Sequence, residues 1–272
     1  GYSPTIMFFF ENVLNMRMKV FLIITVAVLA GASIPARAQV KNGYHDKLAA
    51  LYEAGQYQDC AFKAERMLLK EKYKSDPEVL LYIAISYNKI YLMTKADETI
   101  ITEDPEYAKA YDNALKYAID AKKRDRKGGE FFPDNNELLE EIVYSGLPIA
   151  DQYLLEKRYS KAQSLFRKFL RLVDNKHITF IKGVLDLYGL DKVAANEAFT
   201  EFFTALNSNS IPKNENTEYL MQKGFVMYYD FLIAEDSAYL ADSAKFILRQ
   251  GLKLFPDDYE INQRLFPQNK AN

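Results

Sequence analysis

The chain has 272 residues, with 35 Lys and Arg against 37 Asp and Glu, so its formal net charge is -2. This near-balance gives no electrostatic reason to expect a nucleic acid or another polyanion as a partner. Hydrophobic residues make up 49% and charged residues 26%, which is typical of a globular protein and argues against intrinsic disorder or a multi-span membrane protein. One Cys and two His supply too few ligands for a usual zinc site or a Cys-bound iron–sulfur cluster, so no cofactor is expected.

The N-terminal region is predicted to contain a secretory signal. Arg17 and Lys19 form a positive n-region, and residues 20–32 form an apolar h-region. Ala36 and Ala38 are the small residues that a signal peptidase requires, so cleavage is expected after Ala38. The alternative is an uncleaved anchor, but the strongly apolar part is shorter than the roughly 20 residues that a spanning helix needs.

These features divide the sequence into three parts. Residues 1–15 are interpreted as an upstream extension that is not native, with the true start at Met16 or Met18. Residues 16–38 are the signal peptide, and residues 39–272 form one helical domain. The protein is therefore expected to be exported, to be periplasmic or secreted after cleavage, and to keep no stable membrane span.

Beyond the signal, the chain is predicted to be all-helical. Apolar residues recur at three- and four-residue spacing, and no stretch alternates as a strand does. Two helices are expected to begin at Asp76-Pro77-Glu78 and Asp104-Pro105-Glu106, because each run offers an Asp N-cap, a Pro in the first turn and an acidic residue after it. Asp134 with Glu137 has the spacing of a capping box.

Further residues are predicted to mark where helices begin and end. Asp236 precedes a further periodic segment, and Gly128-Gly129 is expected to end the helix that starts near Glu106. Residues 206–216 are rich in Asn, Ser and Pro and are predicted to be a linker. Residues 258–266 are predicted to form a terminal helix that shields the end of the stack.

A short pattern of side-chain sizes returns along the chain. A small residue is followed four positions later by a bulky or apolar one, and three positions later by another, as in Ala162, Phe166 and Phe169. A small side chain lets a second helix approach the first closely, which indicates helix pairs. The small residues that begin the pattern are Cys60, Ala110, Ala162, Ala195 and Ala244.

Two of these segments resemble the turn and second helix of tetratricopeptide repeats. The first is Ala-Gly-Gln-Tyr at 54–57, followed by Cys60, and the second is Lys-Arg-Tyr-Ser-Lys-Ala at 157–162, followed by Phe166 and Phe169. The resemblance implies an α-α superhelix, in which successive helix pairs stack into a curved solenoid.

Further positions agree with that family or depart from it. The family has a small residue twelve positions before the one that begins the pattern, and Ala150 and Gly183 fit this, whereas Leu48 is larger. Pro256 stands twelve positions after Ala244, where the family has its closing proline. The five small residues are 50, 52, 33 and 49 residues apart, and only one interval is near the repeat length of about 34.

We therefore expect about five irregular, TPR-like helix pairs with long insertions, or a relative in the wider helical-repeat superfamily. In the second pair, residues 93–103 are the expected insertion. In the fourth pair, Lys182 and Asp186 stand where the pattern calls for apolar residues.

The chemically reactive side chains are few and far apart. His45 and His177 have no Cys or carboxylate spacing around them that would indicate a metal site or a catalytic triad, so each is interpreted as a surface or interhelix imidazole. Cys60 occupies the small-residue position of a helix pair, where burial would make it an inert thiol. No phosphate loop, dinucleotide fingerprint or nucleophile elbow occurs, so the protein is not expected to be an enzyme.

A binding surface is the better candidate. By the resemblance, the first helices of the pairs would line a concave face suited to a peptide or a partner helix. Its inward positions are rich in aromatic residues, which interfaces favour. The candidate contacts are His45, Tyr52, Asn88, Lys89, Tyr144, Asp151, His177, Phe180, Tyr188, Phe225, Tyr228 and Tyr229, with Asn42 and Glu78 at further inward positions.

Three functions follow from these observations. The first is an exported, non-catalytic helical-repeat protein that acts as a protein–protein interaction scaffold in the bacterial envelope. The alternative is an envelope carbohydrate or small-ligand binding protein that uses aromatic faces such as Tyr228 and Tyr229. An enzyme would require the fold to bring carboxylates beside His45 or His177. A long open groove would favour a peptide, and a closed pocket of a few hundred Å3 with convergent polar groups would favour a small ligand.

Overall fold

The computed structural model of the protein describes residues 40–100, 104–125, 131–235 and 238–267. Over these residues the chain is all-helical, without a β-strand, and two 3-10 helices, Glu71–Tyr73 and Pro105–Lys109, accompany the α-helices. The α-helices are α1 (Asp46–Glu53), α2 (Tyr57–Leu68), α3 (Pro77–Ala96), α4 (Ala110–Asp125), α5 (Phe131–Asp134), α6 (Asn136–Leu155), α7 (Tyr159–Leu170), α8 (Lys176–Tyr188), α9 (Lys192–Asn207), α10 (Glu218–Ala234), α11 (Ala238–Leu254) and α12 (Tyr259–Leu265).

Consecutive helices pack as pairs, as the sequence predicts. The pairs are α1 with α2, α3 with α4, α6 with α7, α8 with α9, and α10 with α11. Neighbouring pairs join through α2 and α3, through α7 and α8, and through α8 and α10. The expected all-α fold of stacked pairs is confirmed. Helix α12 packs on α10 and α11, so it covers the last pair as predicted.

The helix starts follow local capping chemistry at some predicted sites and depart from it at others. Asp76 caps α3, because its carboxylate accepts from the backbone N–H groups of Glu78 and Val79 at 3.0 and 3.2 Å. Asp104 accepts from the Glu106 N–H, but the run begins a 3-10 helix rather than an α-helix. The expected capping box at Asp134 is wrong.

At that site α6 begins after Asn135, which makes no side-chain cap hydrogen bond. Asp134 instead accepts from the Asn42 side-chain amide at 2.5 Å. The predictions at Gly128-Gly129 and Asp236, and those for residues 1–38, concern residues outside the described ranges. The predicted linker begins later than expected, because α9 continues to Asn207.

Three of the pair turns share one backbone geometry. Gly55, Lys157 and Leu190 follow the first helix of their pairs with φ of 77°, 54° and 63°. In each turn the N–H of that residue donates to the carbonyl oxygen three positions earlier, at 2.9 to 3.1 Å. The next N–H donates to the carbonyl oxygen five positions earlier, at 2.8 to 2.9 Å. These are Schellman motifs, and each stands five residues before a small residue of the repeating pattern.

Small residues allow the paired helices to approach closely. The Cys60 thiol is fully buried and donates to the Leu48 carbonyl oxygen across 3.5 Å, twelve positions apart as the pattern predicts. A Cβ atom on Gly183 would lie 2.8 Å from the Cβ of Ala198. Contact this tight between α8 and α9 explains why glycine occupies the position.

The core is rich in aromatic side chains, and α8 lies at its centre. The ring of Phe180 stacks on that of Phe202, with centroids 4.2 Å apart, and lies 4.7 Å from that of Phe225. These three side chains come from α8, α9 and α10, and all are fully buried. None of the described helices combines the length and the apolar character that crossing a membrane would require.

Candidate functional site

The structure buries part of the candidate contact set. Tyr52, Asn88, His177, Phe180 and Phe225 are at most 4% exposed, so the expectation that their side chains line an open surface is corrected. Glu78 is also buried, whereas Asn42 is exposed. The remaining candidates are half-buried, and their role as contacts stays a prediction. They are His45, Lys89, Tyr144, Asp151, Tyr188, Tyr228 and Tyr229.

For the candidates in α8, His177 and Phe180, the burial has a physical cause in contacts between the third and fifth pairs. Lys223 of α10 forms an ion pair with Asp151 of α6, with the charged atoms 2.6 Å apart. In the segment that precedes α10, the Asn214 amide donates to the Tyr144 hydroxyl at 2.7 Å. These bridges join first helices that the sequence places on either side of α8, so α8 is buried along most of its length.

The segment between α9 and α10 helps to form a polar pocket of about 310 Å3. Glu140 and Tyr144 of α6 contribute one wall, and Asn175 and His177 at the start of α8 contribute another. Pockets of this size with convergent polar groups are suited to small molecules. The pocket brings together two predicted site residues, Tyr144 and His177, and adds Ser210, Pro212 and Asn214, which the sequence did not single out.

A hydrogen-bond chain connects Asn175, Thr217 and His177. The side-chain oxygen of Asn175 accepts from the Ile178 N–H, so the amide nitrogen of Asn175 donates to the Thr217 hydroxyl at 3.1 Å. The Thr217 hydroxyl oxygen in turn lies 3.0 Å from His177 Nδ1; it can donate to an unprotonated Nδ1 or accept from a protonated one, so both neutral tautomers fit this contact. Burial lowers the pKa of His177, and the charge of Glu218 opposes this shift only in part.

The other histidine lies beside two carboxylates that are distant in the sequence. His45 Nε2 is 2.9 Å from Asp76 Oδ2, which also accepts from the Tyr44 hydroxyl at 2.7 Å. The Glu78 carboxylate accepts from the backbone N–H groups of Tyr44 and His45. His45 is thus an imidazole between two helices, in agreement with its interpretation from the sequence, and the nearby carboxylates come from residues that its own sequence spacing did not indicate.

The geometry of this cluster indicates a structural role, in which it holds two helix starts together. Asp76 uses its other carboxylate oxygen to cap α3, and Glu78 is saturated by the backbone of the segment before α1. Among the described residues, the Tyr44 hydroxyl is the one hydroxyl or thiol group that hydrogen-bonds within the pair of His45 and Asp76. The cluster fastens the start of α1 to the start of α3.

Metal and thiol chemistry have little support in the described part of the chain. The residues that the structure describes contain no group of three or more His, Cys, Asp or Glu side chains placed to hold a metal ion. Burial raises the pKa of the Cys60 thiol, which keeps it protonated and unreactive at neutral pH.

A second surface, which sequence analysis missed, runs along the turns of the third and fourth pairs. The ring of Tyr188 lies 4.6 Å from that of Tyr159 and 5.2 Å from that of Phe231 in α10, so these two turns adjoin each other and the last turns of α10. Leu155, Leu190 and Val193 are exposed there by 79%, 76% and 71%. We call these three exposed residues and their flanking turns the turn edge. In the sequence, this surface could have been recognised from Leu155 and Leu190, which stand in otherwise polar turn segments.

Comparison with known proteins gives no further assignment. No protein-family model matches the chain, and neither the curated proteins nor the solved structures compared with it contain a match.

Proposed function

We propose that this protein is an exported, non-catalytic scaffold of the bacterial envelope that binds a partner protein through the turn edge. The observation that carries the proposal is the conformation of Leu190. This residue combines a φ of 63° with 76% exposure to solvent. A branched apolar side chain has no folding reason to occupy such a position.

The left-handed conformation of Leu190 destabilises the fold, and burial of its side chain within the chain does not offset this. The left-handed conformation costs an L-residue other than glycine or asparagine about 1 kcal/mol. An exposed leucine recovers little of that through burial, because the hydrophobic gain is proportional to the apolar area removed from water. Burial against a partner would supply the missing gain.

The neighbours of Leu190 extend the surface. Leu155 and Val193 are more than two-thirds exposed, and the contacts among Tyr159, Tyr188 and Phe231 hold the turns together beneath them. Exposed apolar side chains on a rigid support are typical of protein interaction sites.

The repeat identity and the cellular location belong to the same proposal. The recurrence of one Schellman turn at Gly55, Lys157 and Leu190, each five residues before a small side chain, supports a diverged tetratricopeptide-like repeat. The n-region, h-region and small residues before Gln39 support export to the periplasm. Repeat stacks of this kind commonly present extended surfaces to proteins.

The test is site-specific photo-crosslinking in cells that export the protein. A photoreactive amino acid at Leu155, or in a separate chain at Val193, is expected to give one discrete adduct with the same partner. The matched control carries the probe at Phe62 of α2, which is also exposed, by 61%, but lies in the first pair. Adducts of equal yield at Phe62, or none at the turn edge, would contradict the proposal.

A specific observation favours a second candidate function, the binding of a small polar ligand. The pocket of about 310 Å3 between α6, α8 and the segment before α10 is lined by His177, whose Nε2 has no hydrogen-bond partner among the described residues. A ligand hydroxyl would pair with this nitrogen in either tautomer, and Glu140 and Tyr144 would bind further polar atoms.

This candidate is tested by a thermal-shift screen of mono- and disaccharides on the purified protein. A binder is expected to lose at least tenfold in affinity on His177→Asn, because asparagine keeps an acceptor near Thr217 but removes Nε2. Tyr259→Phe, an exposed residue of α12 that does not line the pocket, is the control. A screen without any saturable binder would contradict this second function and leave the scaffold proposal untouched.

A further inference from the structure

A separate cavity lies between the second and third helix pairs. Its volume is about 430 Å3, and four helices line it. Tyr91 and Lys95 come from the end of α3, and Asp112 comes from the start of α4. Ile149 and Tyr153 of α6, with Lys161, Ser164 and Lys168 of α7, complete the wall.

The cavity concentrates positive charge that the protein does not neutralise. No carboxylate oxygen of the described residues lies within 4.0 Å of the ammonium groups of Lys95, Lys161 or Lys168. These three lysines are exposed, whereas the half-buried Lys89 and Lys223 are ion-paired with Glu141 and Asp151.

Two carboxylates lie near these lysines without forming ion pairs with them. Asp112 lines the cavity without an ion pair, so three cations and one anion leave a formal excess of two positive charges. The field of Lys161 also reaches Glu156, but that carboxylate is held by Arg158 at 2.8 Å. Like charges that converge on one cavity repel each other, and a bound anion would relieve this repulsion.

The walls indicate what kind of anion fits. Tyr91 and Tyr111 are buried below the cavity with ring centroids 4.9 Å apart, and Leu165 is buried beside them. The Tyr153 ring carries the cations of Arg158 and Lys161 over it at 4.9 and 5.9 Å. Aromatic and aliphatic walls favour an organic body, while the lysines favour anionic groups at its ends.

We propose that this cavity binds a small organic dianion, whose phosphate or carboxylate groups are neutralised by Lys95, Lys161 and Lys168 while its apolar body contacts Tyr91 and Tyr153. The site does not depend on the turn edge or on the polar pocket, so it stands independently of the proposed function. Its charge excess of two matches a ligand with two negative charges, and its volume accommodates one ring.

Two ring-bearing probes distinguish the chemical sources of the charge. Isothermal titration of the purified protein with phenyl phosphate tests a phosphate ester, and titration with isophthalate tests a dicarboxylate. Benzyl alcohol is the neutral control. We expect saturable binding of at least one dianion, no heat from the alcohol, and weakening as salt is raised, because the contacts are charge pairs near the surface.

Variants that remove a positive or a negative charge from the cavity should change the affinity for the bound probe in opposite directions. Lys95→Gln, Lys161→Gln and Lys168→Gln should each weaken the bound probe about fivefold to tenfold, as expected for one charge-assisted hydrogen bond. Asp112→Asn should strengthen it, because Asp112 is the one carboxylate among the described residues that line the cavity. Lys245→Gln on the exposed side of α11 is the matched control and should leave the affinity unchanged.

The substituted side chains are all exposed, so the variants are expected to fold, and thermal unfolding checks this. Absence of saturable binding by both dianions would overturn the proposal. Equal affinities for the cavity lysine variants and the Lys245 control would overturn it too, as would binding of an acidic peptide in place of both probes.

Discussion

Leu190 occupies, in the turn between α8 and α9, the same left-handed position that Gly55 occupies in the turn between α1 and α2. The two residues have φ of 63° and 77° and the same pair of backbone hydrogen bonds. Glycine adopts this conformation without steric cost, whereas leucine does not. In these two equivalent turns, leucine therefore lowers the free energy of unfolding relative to glycine.

Replacing Leu190 by glycine should stabilise the protein. We expect the free energy of unfolding to rise by about 0.5 to 1 kcal/mol, because the relief of the left-handed strain exceeds the added chain entropy and the small packing loss. Urea denaturation followed by circular dichroism measures the change. Val193→Gly is the control, since it removes an exposed apolar residue from the helix α9 and should destabilise it. A destabilised Leu190→Gly variant would show that the leucine packs usefully within the chain.

Gly183 tests the close approach of α8 and α9. Gly183→Ala would place a Cβ atom 2.8 Å from that of Ala198 and 3.1 Å from the Phe199 ring, so the helices must separate. We expect a loss of about 1 to 3 kcal/mol in the free energy of unfolding.

The matched control is Gly189→Ala, six residues further along the chain. Its added Cβ would meet no atom closer than 3.5 Å, and its backbone is not left-handed. This variant should be neutral within about 0.5 kcal/mol. If both glycine variants lost equal stability, the contact between α8 and α9 would not explain the choice of glycine at position 183.

Asp186 is a fully buried carboxylate, and its charge partners determine how much its burial destabilises the protein. Lys182 lies 2.5 Å from one of its oxygens, and the Gln163 amide and the Arg167 guanidinium donate to the other at 2.6 and 3.3 Å. Lys182→Met should cost about 2 kcal/mol, because it leaves a buried negative charge partly uncompensated. Lys176→Met, on the same helix, loses only exposed ion partners and should cost less than about 1 kcal/mol.

A double variant separates charge from packing at this site. Lys182→Met combined with Asp186→Leu removes both charges and should recover part of the lost stability. Chemical denaturation of the single and double variants gives the coupling free energy. Additive losses would contradict a charge pair between Lys182 and Asp186.

His177 gives the protein a pH-dependent stability with a definite sign. Its pKa is lowered in the folded protein, mainly by burial, so the unfolded chain binds a proton more readily. Stability is therefore full above the ordinary histidine pKa of about 6.5 and falls as pH drops below it, towards the folded pKa. His177→Asn should flatten this part of the profile, measured as the unfolding midpoint in urea between pH 7.5 and pH 5. A profile that is unchanged by the substitution would assign the slope to other groups.

Local signals were sufficient to predict the helices and their pairing. The Asp-Pro-Glu run at residue 76, the small residues Cys60 and Gly183, and the helical periodicity act within one or two turns of chain, so the sequence reveals them directly. Asp134 does not cap α6, because it is the last residue of α5 and the N-cap position of α6 is Asn135; its carboxylate accepts from Asn42, far away in the sequence.

The surfaces could not be predicted in the same way, because they depend on contacts between distant segments. His177 meets its partner Thr217 forty residues later, and Asp151 meets Lys223 in another pair. Nothing near α8 indicates that these later segments would bury it. A repeat resemblance supplies the positions of first helices, but it does not tell whether an irregular linker fills the concave side.

The most direct test of the scaffold proposal combines stability and partner contact in one variant. The photoreactive probe at Leu155 is read out with and without Leu190→Gly in the same chain. Since this substitution is expected to stabilise the fold, a loss of adduct cannot arise from unfolding. The account predicts that the yield of the partner adduct falls at least fivefold while the free energy of unfolding rises, a loss equivalent to about 1 kcal/mol of binding. An unchanged adduct yield would contradict the claim that Leu190 is retained for a partner.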